Sequence, residues 1–534
     1  MLWLYNLVIW ASFGLCTFLA LRQALHMFQL NSYQDLSYGN YLHTHQKTYW
    51  NAKRLVPCAL MLLGGMSLDA QPLLFAAGAG LWVLVNRPQK AKKPLVYTPR
   101  VKRLLACAVV VTVAWVSLTD YVTTTLLLTG IMLQSGLVVM LGVLYTSVAL
   151  VLFLYNQHRL VMLYNDLMSP IEKAINNHYI KDARKILASR PDLKVIGITG
   201  SYGKTSTKYF LHRLLSTRYN VYMTPGNYNT TLGVTRAVRE GLRPTHEIFL
   251  CEMGARHVGD IKEVCDLAKP TMGVITSVGP QHLETFGSQK RVLQGKLELA
   301  EAVKDKGPVF VNFDSELLRT HDYHQGYISY GINGKDYTMS NLTIDENGSR
   351  FSIKDPDGNR QEFSTRLLGH ANVQNICGAI AVANYLGIPL SVLAPAVRQL
   401  ESVPHRLQLI RQTGLTVIDD AYNSNPAGAK NALETLALCR GTRIVITPGL
   451  VELGDQELEF NQTLGRQAAD CCHHLITVGE SDRVDAICKG AREGGLHRDS
   501  IHSAATVQQA MELARSLSGD SKMVLLLNDL TDNY

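Results

Sequence analysis

The sequence predicts an α-helical transmembrane domain followed by two α/β domains: a phosphate-loop ATPase domain on a parallel sheet, then a C-terminal Rossmann-like domain. Three observations lead there. The first 157 residues carry only 14 charged side chains, set among long apolar runs. From Lys194 onward, short β-branched runs alternate with helical stretches, the pattern of a parallel sheet covered by helices. A glycine-rich turn ending in Gly203-Lys204-Thr205 follows the first of those strands.

The apolar runs cover residues 2–21, 55–68, 70–86, 104–119 and 123–155. A membrane helix needs about 20 apolar residues, and two full spans need about 40. The run 123–155 is therefore expected as one long helix rather than a tight pair around Gln134-Ser135-Gly136, giving about five spans. No basic residue precedes the first run, so it lacks the start of a cleavable signal peptide. Arg22, Lys47, Lys53 and Arg54 lie between the first two runs. Arg87, Lys90, Lys92, Lys93, Arg100, Lys102 and Arg103 lie between the third and fourth. The other two connections hold only Asp69 and Asp120. Basic loops stay inside, which predicts a multi-pass protein of the cell membrane with everything after residue 157 in the cytoplasm. Tyr33, Tyr38, Tyr41, Tyr49 and Trp50 read as interfacial anchors.

The same segment accounts for the whole net charge. Residues 1–157 hold 11 Lys/Arg and three Asp, a surplus equal to the +8 of the full chain. The remainder is formally neutral, which argues against a nucleic-acid groove. Ten scattered cysteines without a C-x-x-C spacing make neither a zinc ribbon nor a disulfide framework. They are expected as free thiols.

Residues 158–192 read as an amphipathic helical connector. The ATP-binding domain is expected over 193–399, with strands at Lys194–Thr199, Ile248–Met253 and Met272–Ser277 and helices at 204–217, 232–240 and 259–268. Within it, residues 327–366 alternate polar and apolar side chains between turns at Asn333-Gly334, Asn347-Gly348 and Asp357-Gly358, and read as a small antiparallel subdomain. The last domain, 400–534, repeats the α/β alternation with strands at Leu415–Asp420, Arg443–Thr447, His474–Val478 and Met523–Leu527.

The chemistry concentrates in Gly200-Ser201-Tyr202-Gly203-Lys204-Thr205-Ser206. Backbone N–H groups of such a turn, with the helix N-terminus behind them, cradle phosphate oxygens. Lys204 reaches the terminal phosphates, and the Thr205 hydroxyl suits Mg²⁺. The spacing is G-x-x-G-K-T, because position 198 is Ile where the longer phosphate-loop pattern has Gly. Glu252 closes a strand beside this turn, where a carboxylate can hold Mg²⁺. His282 follows the next strand, and Lys296 lies on the following helix.

Six stretches in order carry a resemblance: TGSYGKTSTK (199–208), GNYNTTLGV (226–234), EMGARHVGDI (252–261), HLETFGS (282–288) with Lys296, DDAYNSNP (419–426) and ELGD (452–455). Residues from about 193 onward resemble the Mur ligases, the ATP-dependent amide-forming enzymes of peptidoglycan synthesis. The resemblance implies ATP and two Mg²⁺ ions as cofactors. It implies that Lys204, His282 and Lys296 are catalytic, with Lys296 carbamylated by CO₂. Thr205, Glu252, His282 and Lys296 would serve the metals, and Gly200 to Ser206, Asn372, Asn375, Arg406 and Asp420 the nucleotide. Asn227, Asn229 and Thr230 would face the acceptor. The implied reaction activates a muramoyl-peptide carboxylate as an acyl phosphate, which an amino acid or a D-Ala-D-Ala-like dipeptide then attacks.

Three departures stand out. A membrane domain replaces the family's soluble UDP-sugar-binding domain, which widens the expected acceptor from UDP-linked to lipid-linked muramoyl peptides. The pattern around Gly369-His370-Ala371-Asn372 carries its histidine one residue early. The C-terminal stretch is Asn528 to Tyr534 rather than a Lys-Gly-Ser segment. Two other readings compete: a polymer ligase resembling poly-γ-glutamate or cyanophycin synthases, and a non-catalytic membrane scaffold.

Overall fold

The computed structural model describes residues 2–46, 52–86, 93–281, 283–323, 326–345, 347–412, 414–422, 425–451, 453–519 and 521–528. Residues 1–176 form one compact unit and 177–529 a second.

The first unit is helical. Asn6–Leu30, Pro99–Met132 and Gly136–Tyr155 are long and apolar enough to cross a membrane. Two shorter apolar helices, Ala52–Gly64 and Gln71–Val85, hold 13 and 15 residues, fewer than the ~20 a span requires. Among the described residues three helices rather than five therefore meet the length. The run 123–155 is not one helix either. Residues 104–132 continue as one helix from Pro99, where the Thr98 hydroxyl caps Val101 N at 3.3 Å. The break falls at 133–135, where Gln134 takes φ +50° and Gly130 comes too close to Val139 to carry a side chain. Polar contacts join the helices inside this unit. Gln71 donates to the Val143 carbonyl and to Ser147 Oγ, both at 3.2 Å. The Arg103 guanidinium grips Glu172 through two bonds of 2.6 and 2.8 Å. Tyr38 and Tyr41 are buried in the unit's core rather than exposed as anchors, and Tyr33 lies under the Arg100 guanidinium. Tyr49, Trp50, Lys47, Arg87, Lys90 and Lys92 lie outside the described residues.

The second unit is built on two sheets. Nine strands are β1 (Lys194–Thr199), β2 (Val221–Met223), β3 (Ile248–Glu252), β4 (Met272–Ile275), β5 (Val309–Asn312), β6 (Tyr327–Gly331), β7 (Tyr337–Asp345), β8 (Gly348–Lys354) and β9 (Arg360–Thr365). Their order is β2-β3-β1-β4-β5-β6-β7-β8-β9. Pairing is parallel from β2 to β7 and antiparallel among β7, β8 and β9. The stretch 327–366 is thus no separate subdomain. It lengthens the main sheet, because β6 pairs with β5 through the full register Val309↔Tyr327 to Asn312↔Tyr330. Apolar side chains cover both faces of the parallel part, with helix His370–Tyr385 buried along most of its length on one face.

The second sheet holds β10 (Gln408–Gln412), β11 (Leu415–Asp420), β12 (Thr442–Thr447), β13 (His474–Val478), β14 (Ile501–Ala504) and β15 (Lys522–Leu527), in the order β10-β11-β15-β12-β13-β14. It is parallel except for the edge strand β10. All ten cysteines are free thiols.

Candidate active site

In the first sheet β1 lies between β3 and β4, so the connections leave it in opposite directions. Ligands bind at the carboxyl ends of strands at such a reversal. Three neighbouring strand ends meet here: Gly200 after β1, Glu252 at the end of β3, and Thr276-Ser277 after β4.

The glycine turn is fixed by its backbone. Gly200 takes φ +149° and Gly203 φ +82°. A side chain on Gly200 would strike Thr276 Oγ1, and one on Gly203 would strike Asn375 Oδ1. The β4 end clamps the turn. Ser201 N donates to Ser277 O at 2.8 Å, Tyr202 N to Ser277 Oγ at 3.0 Å, and Thr276 Oγ1 to Tyr202 O at 2.5 Å. The Ser201 hydroxyl is spent on the Gly279 backbone. Helix Lys204–Leu215 starts at Gly203, and its first-turn N–H groups have no acceptor inside the helix. Lys204 folds back over the turn, Nζ to Gly200 O at 2.6 Å and to Ser201 O at 3.2 Å. Burial pushes its ammonium down to about 8; Glu252 raises it and Arg406 lowers it further.

Glu252 is buried at the centre of the arrangement. Its Oε1 accepts from Thr205 Oγ1 at 3.1 Å and from Asn229 Nδ2 at 3.2 Å. Its Oε2 lies 2.9 Å from Lys208 Nζ. The Thr205 hydroxyl and the Glu252 carboxylate are hard oxygen donors side by side, the set that magnesium takes together with nucleotide phosphates. Among the described residues no three His, Cys, Asp or Glu side chains cluster as a metal cage. His282 lies outside the described residues.

Lys296 sits on helix Gln289–Val303 with 1% of its surface exposed, its Nζ 5.9 Å from the centre of the Phe286 ring. Burial and the facing Lys204 ammonium push its amine far below the usual lysine range, while Asp260 and Glu298 pull it up.

A cavity of about 80 Å³ adjoins the turn. It brings together Tyr202, Gly203, Ser206, Asn372, Asn375, Arg406 and Asp420. Asn375 Oδ1 accepts from Thr207, and Asn372 donates to Leu368 O at 2.9 Å. Arg406 lies 4.5 Å over the Tyr422 ring, and His405 and Leu407 on either side of it take positive φ. Asp420 accepts from Leu407 N at 3.2 Å. Burial pushes its carboxyl up to about 6, against the pull of Arg406. Asn229 touches Glu252 directly, whereas the Thr230 side chain caps helix Thr231–Gly241. Asn227 is exposed and acts as a hydrogen-bond partner of Tyr422.

Two contributors escape the sequence reading. Lys208 is wholly buried against Glu252. Tyr422 lies between Arg406 and Asn227. A signal for the first exists: Lys208 falls on the stripe of Lys204, Leu211 and Leu215, where a buried face requires apolar residues.

The two sheets and their order have relatives among known proteins. Residues 198–383 match the Mur ligase middle domain, and residues 405–528 match the Mur ligase, glutamate ligase domain. The UDP-N-acetylmuramoyl-tripeptide–D-alanyl-D-alanine ligase of Bacillus subtilis (strain 168) is 34% identical over 295 residues, 54% of this chain and 62% of its own. The enzyme of that name from Mycobacterium leprae (strain TN) is 30% identical over 366 residues, 62% of this chain and 70% of its own. The crystal structure of MurF from Acinetobacter baumannii superposes with a TM-score of 0.58 at 26% identity, over 66% of this chain and 77% of that one. The chain thus spans less than two thirds of the length of the B. subtilis relative. The paired domains, in this order and around this turn, place the chain in the Mur ligase family.

Proposed function

We propose that the chain is a membrane-anchored ATP-dependent amide ligase. It joins the amino group of an amino acid or a D-Ala-D-Ala-like dipeptide to the terminal carboxylate of a muramoyl peptide. The observation that carries this reading is the junction of Lys204, Thr205 and Glu252 at three adjoining strand ends, with the buried Lys296 amine facing Lys204. The named relatives supply the acceptor and donor class.

Each group has a task. The turn N–H groups and Lys204 hold the ATP phosphates, and Lys204 neutralises charge on the transferring phosphoryl group. Thr205 and Glu252 would hold Mg²⁺, which would supply further charge neutralisation at the phosphates. The acceptor carboxylate attacks the γ-phosphorus, ADP leaves, and the donor amine then displaces phosphate from the acyl carbon. Lys296, its amine pushed far below the usual lysine range by burial and by Lys204, would add CO₂ and give up a proton to become a carbamate. The resulting anion offsets the cations around it. Asn372, Asn375, Arg406 and Asp420 line the nucleotide side, and closure of the C-terminal domain keeps water from the acyl phosphate. Asn227, Asn229 and Thr230 lie toward the acceptor. His282 joins the catalytic set by resemblance.

The membrane part of the reading rests on three helices long enough to span and on basic residues confined to alternate connections. The test is mass spectrometry of products with UDP-linked and lipid-linked muramoyl peptides offered side by side, each with amino acids and D-Ala-D-Ala. An amide product that requires ATP and acceptor is expected. Phosphate release that no acceptor and donor pair alters would refute the proposal.

A further inference from the structure

One buried charge has no part in the phosphate chemistry. Lys208 lies one turn beyond Lys204 on the same helix, with none of its side chain exposed. Its Nζ stands 2.9 Å from Glu252 Oε2 and donates to the Gly226 carbonyl at 2.5 Å. A single ammonium thus ties the phosphate-turn helix, the end of β3 and the turn 224–230. The tie is reinforced from the other side. Asn229 of that turn donates to Glu252 Oε1, its carbonyl accepts from Gly254 N at 2.7 Å, and Glu252 N donates to Thr224 Oγ1 at 3.2 Å.

A buried ion pair is a poor stabilising device. Desolvation offsets the attraction, and an apolar pair of similar volume does as well or better. The charge therefore calls for another explanation, and electrostatics gives one. Lys208 cancels the negative charge of Glu252, so the pair offers a divalent cation little net attraction. A triphosphate seated over Lys204 restores negative charge beside the same oxygens.

We propose that Lys208 is a positioning residue with two tasks. It holds the turn 224–230 against Glu252, and it makes divalent-metal binding wait for the nucleotide. The first task rests on the ligase reading for its acceptor; the second does not.

The experiment titrates the full chain in detergent with Mn²⁺ alone, read by electron paramagnetic resonance, and separately measures KM for acceptor and ATP. Lys208→Met is expected to bind Mn²⁺ at least about tenfold more tightly than wild type without nucleotide. Its acceptor KM rises about tenfold while the KM for ATP moves less than about threefold. Lys208→Gln keeps a donor for Gly226 but not the charge. It gains Mn²⁺ affinity with an acceptor KM near wild type, and stands in for the charge test where the Met variant does not fold. Lys208→Arg keeps the charge and binds Mn²⁺ as weakly as wild type. Mn²⁺ affinity unchanged on loss of the charge overturns the metal order. An acceptor KM unchanged in a folded Lys208→Met overturns the tether. The Mn²⁺ titration needs no turnover, so it stands or falls apart from the ligase reading.

Discussion

Two short ion pairs, one from each unit of the molecule, differ in kind. In the helical unit, Arg103 and Glu172 join two helices through a bidentate fork, with the arginine side chain 31% exposed and the glutamate 8%. In the α/β unit, Lys208 and Glu252 are at 0% and 1%. The first pair uses the planar fork that suits a fixed helix–helix angle, and its arginine keeps access to water. The second puts a point charge where no water softens it, and surrounds the carboxylate with a hydroxyl and an amide from two further segments. Geometry that only pins helices can stay near the surface. The pair that ties the phosphate-turn helix to the end of β3 is buried.

That contrast can be broken or sharpened by experiment. The largest effect is expected at the buried end, in Lys296→Ala. Activity, followed as phosphate release with acceptor and donor present, falls on the order of 10³-fold. A short-chain carboxylic acid added to the variant restores part of it by replacing the lost anion. Full activity in Lys296→Ala would remove the carbamate from the reaction. Gly203→Ala comes next: its side chain meets Asn375 Oδ1 at a φ of +82°. We expect nucleotide affinity to fall about tenfold or more, given a left-handed backbone cost of about 1 kcal/mol before the clash. Nucleotide titration by calorimetry reads it.

Protons give a subtler test. Lys204 in the free site titrates at about 8, and phosphate contact raises it. Nucleotide binding should therefore take up close to one proton near pH 9 and little near pH 7, read by calorimetry in buffers of different ionisation enthalpy. Asp420 works in the other sense. Its carboxyl is raised to about 6, so the folded state binds the extra proton. Stability falls as pH rises from about 4 to about 6, and Asp420→Asn should flatten that slope in thermal unfolding. The smallest effect on catalysis belongs to Arg103→Met. It lowers the stability of the helical unit by about 1 kcal/mol, seen in denaturation, and leaves kcat alone.

The glycine turn is legible in sequence because it is local: five consecutive residues fix their own backbone. Glu252 is legible because a strand ends on it. Lys208 shows in sequence only as a charge on the stripe of Leu211 and Leu215; the carboxylate it meets is fixed only once the sheet beneath is placed. The strands Val221–Met223, Val309–Asn312 and Ile501–Ala504 are short, and their pairing comes from neighbours distant in sequence. The division of residues 99–155 is lost for a related reason. Uniform hydrophobicity hides where a helix ends, and only the turn at Gln134 marks it.

The short pair Ala52–Gly64 and Gln71–Val85 has a bookkeeping consequence for sidedness. Helices added in twos return the chain to the face it left. If the chain is anchored as proposed, the tally of crossings is odd whether these two cross or merely dip. The two basic connections and the polypeptide beyond Tyr155 would then share one compartment under either count, and an impermeant thiol label at that end alone would read the same for three as for five.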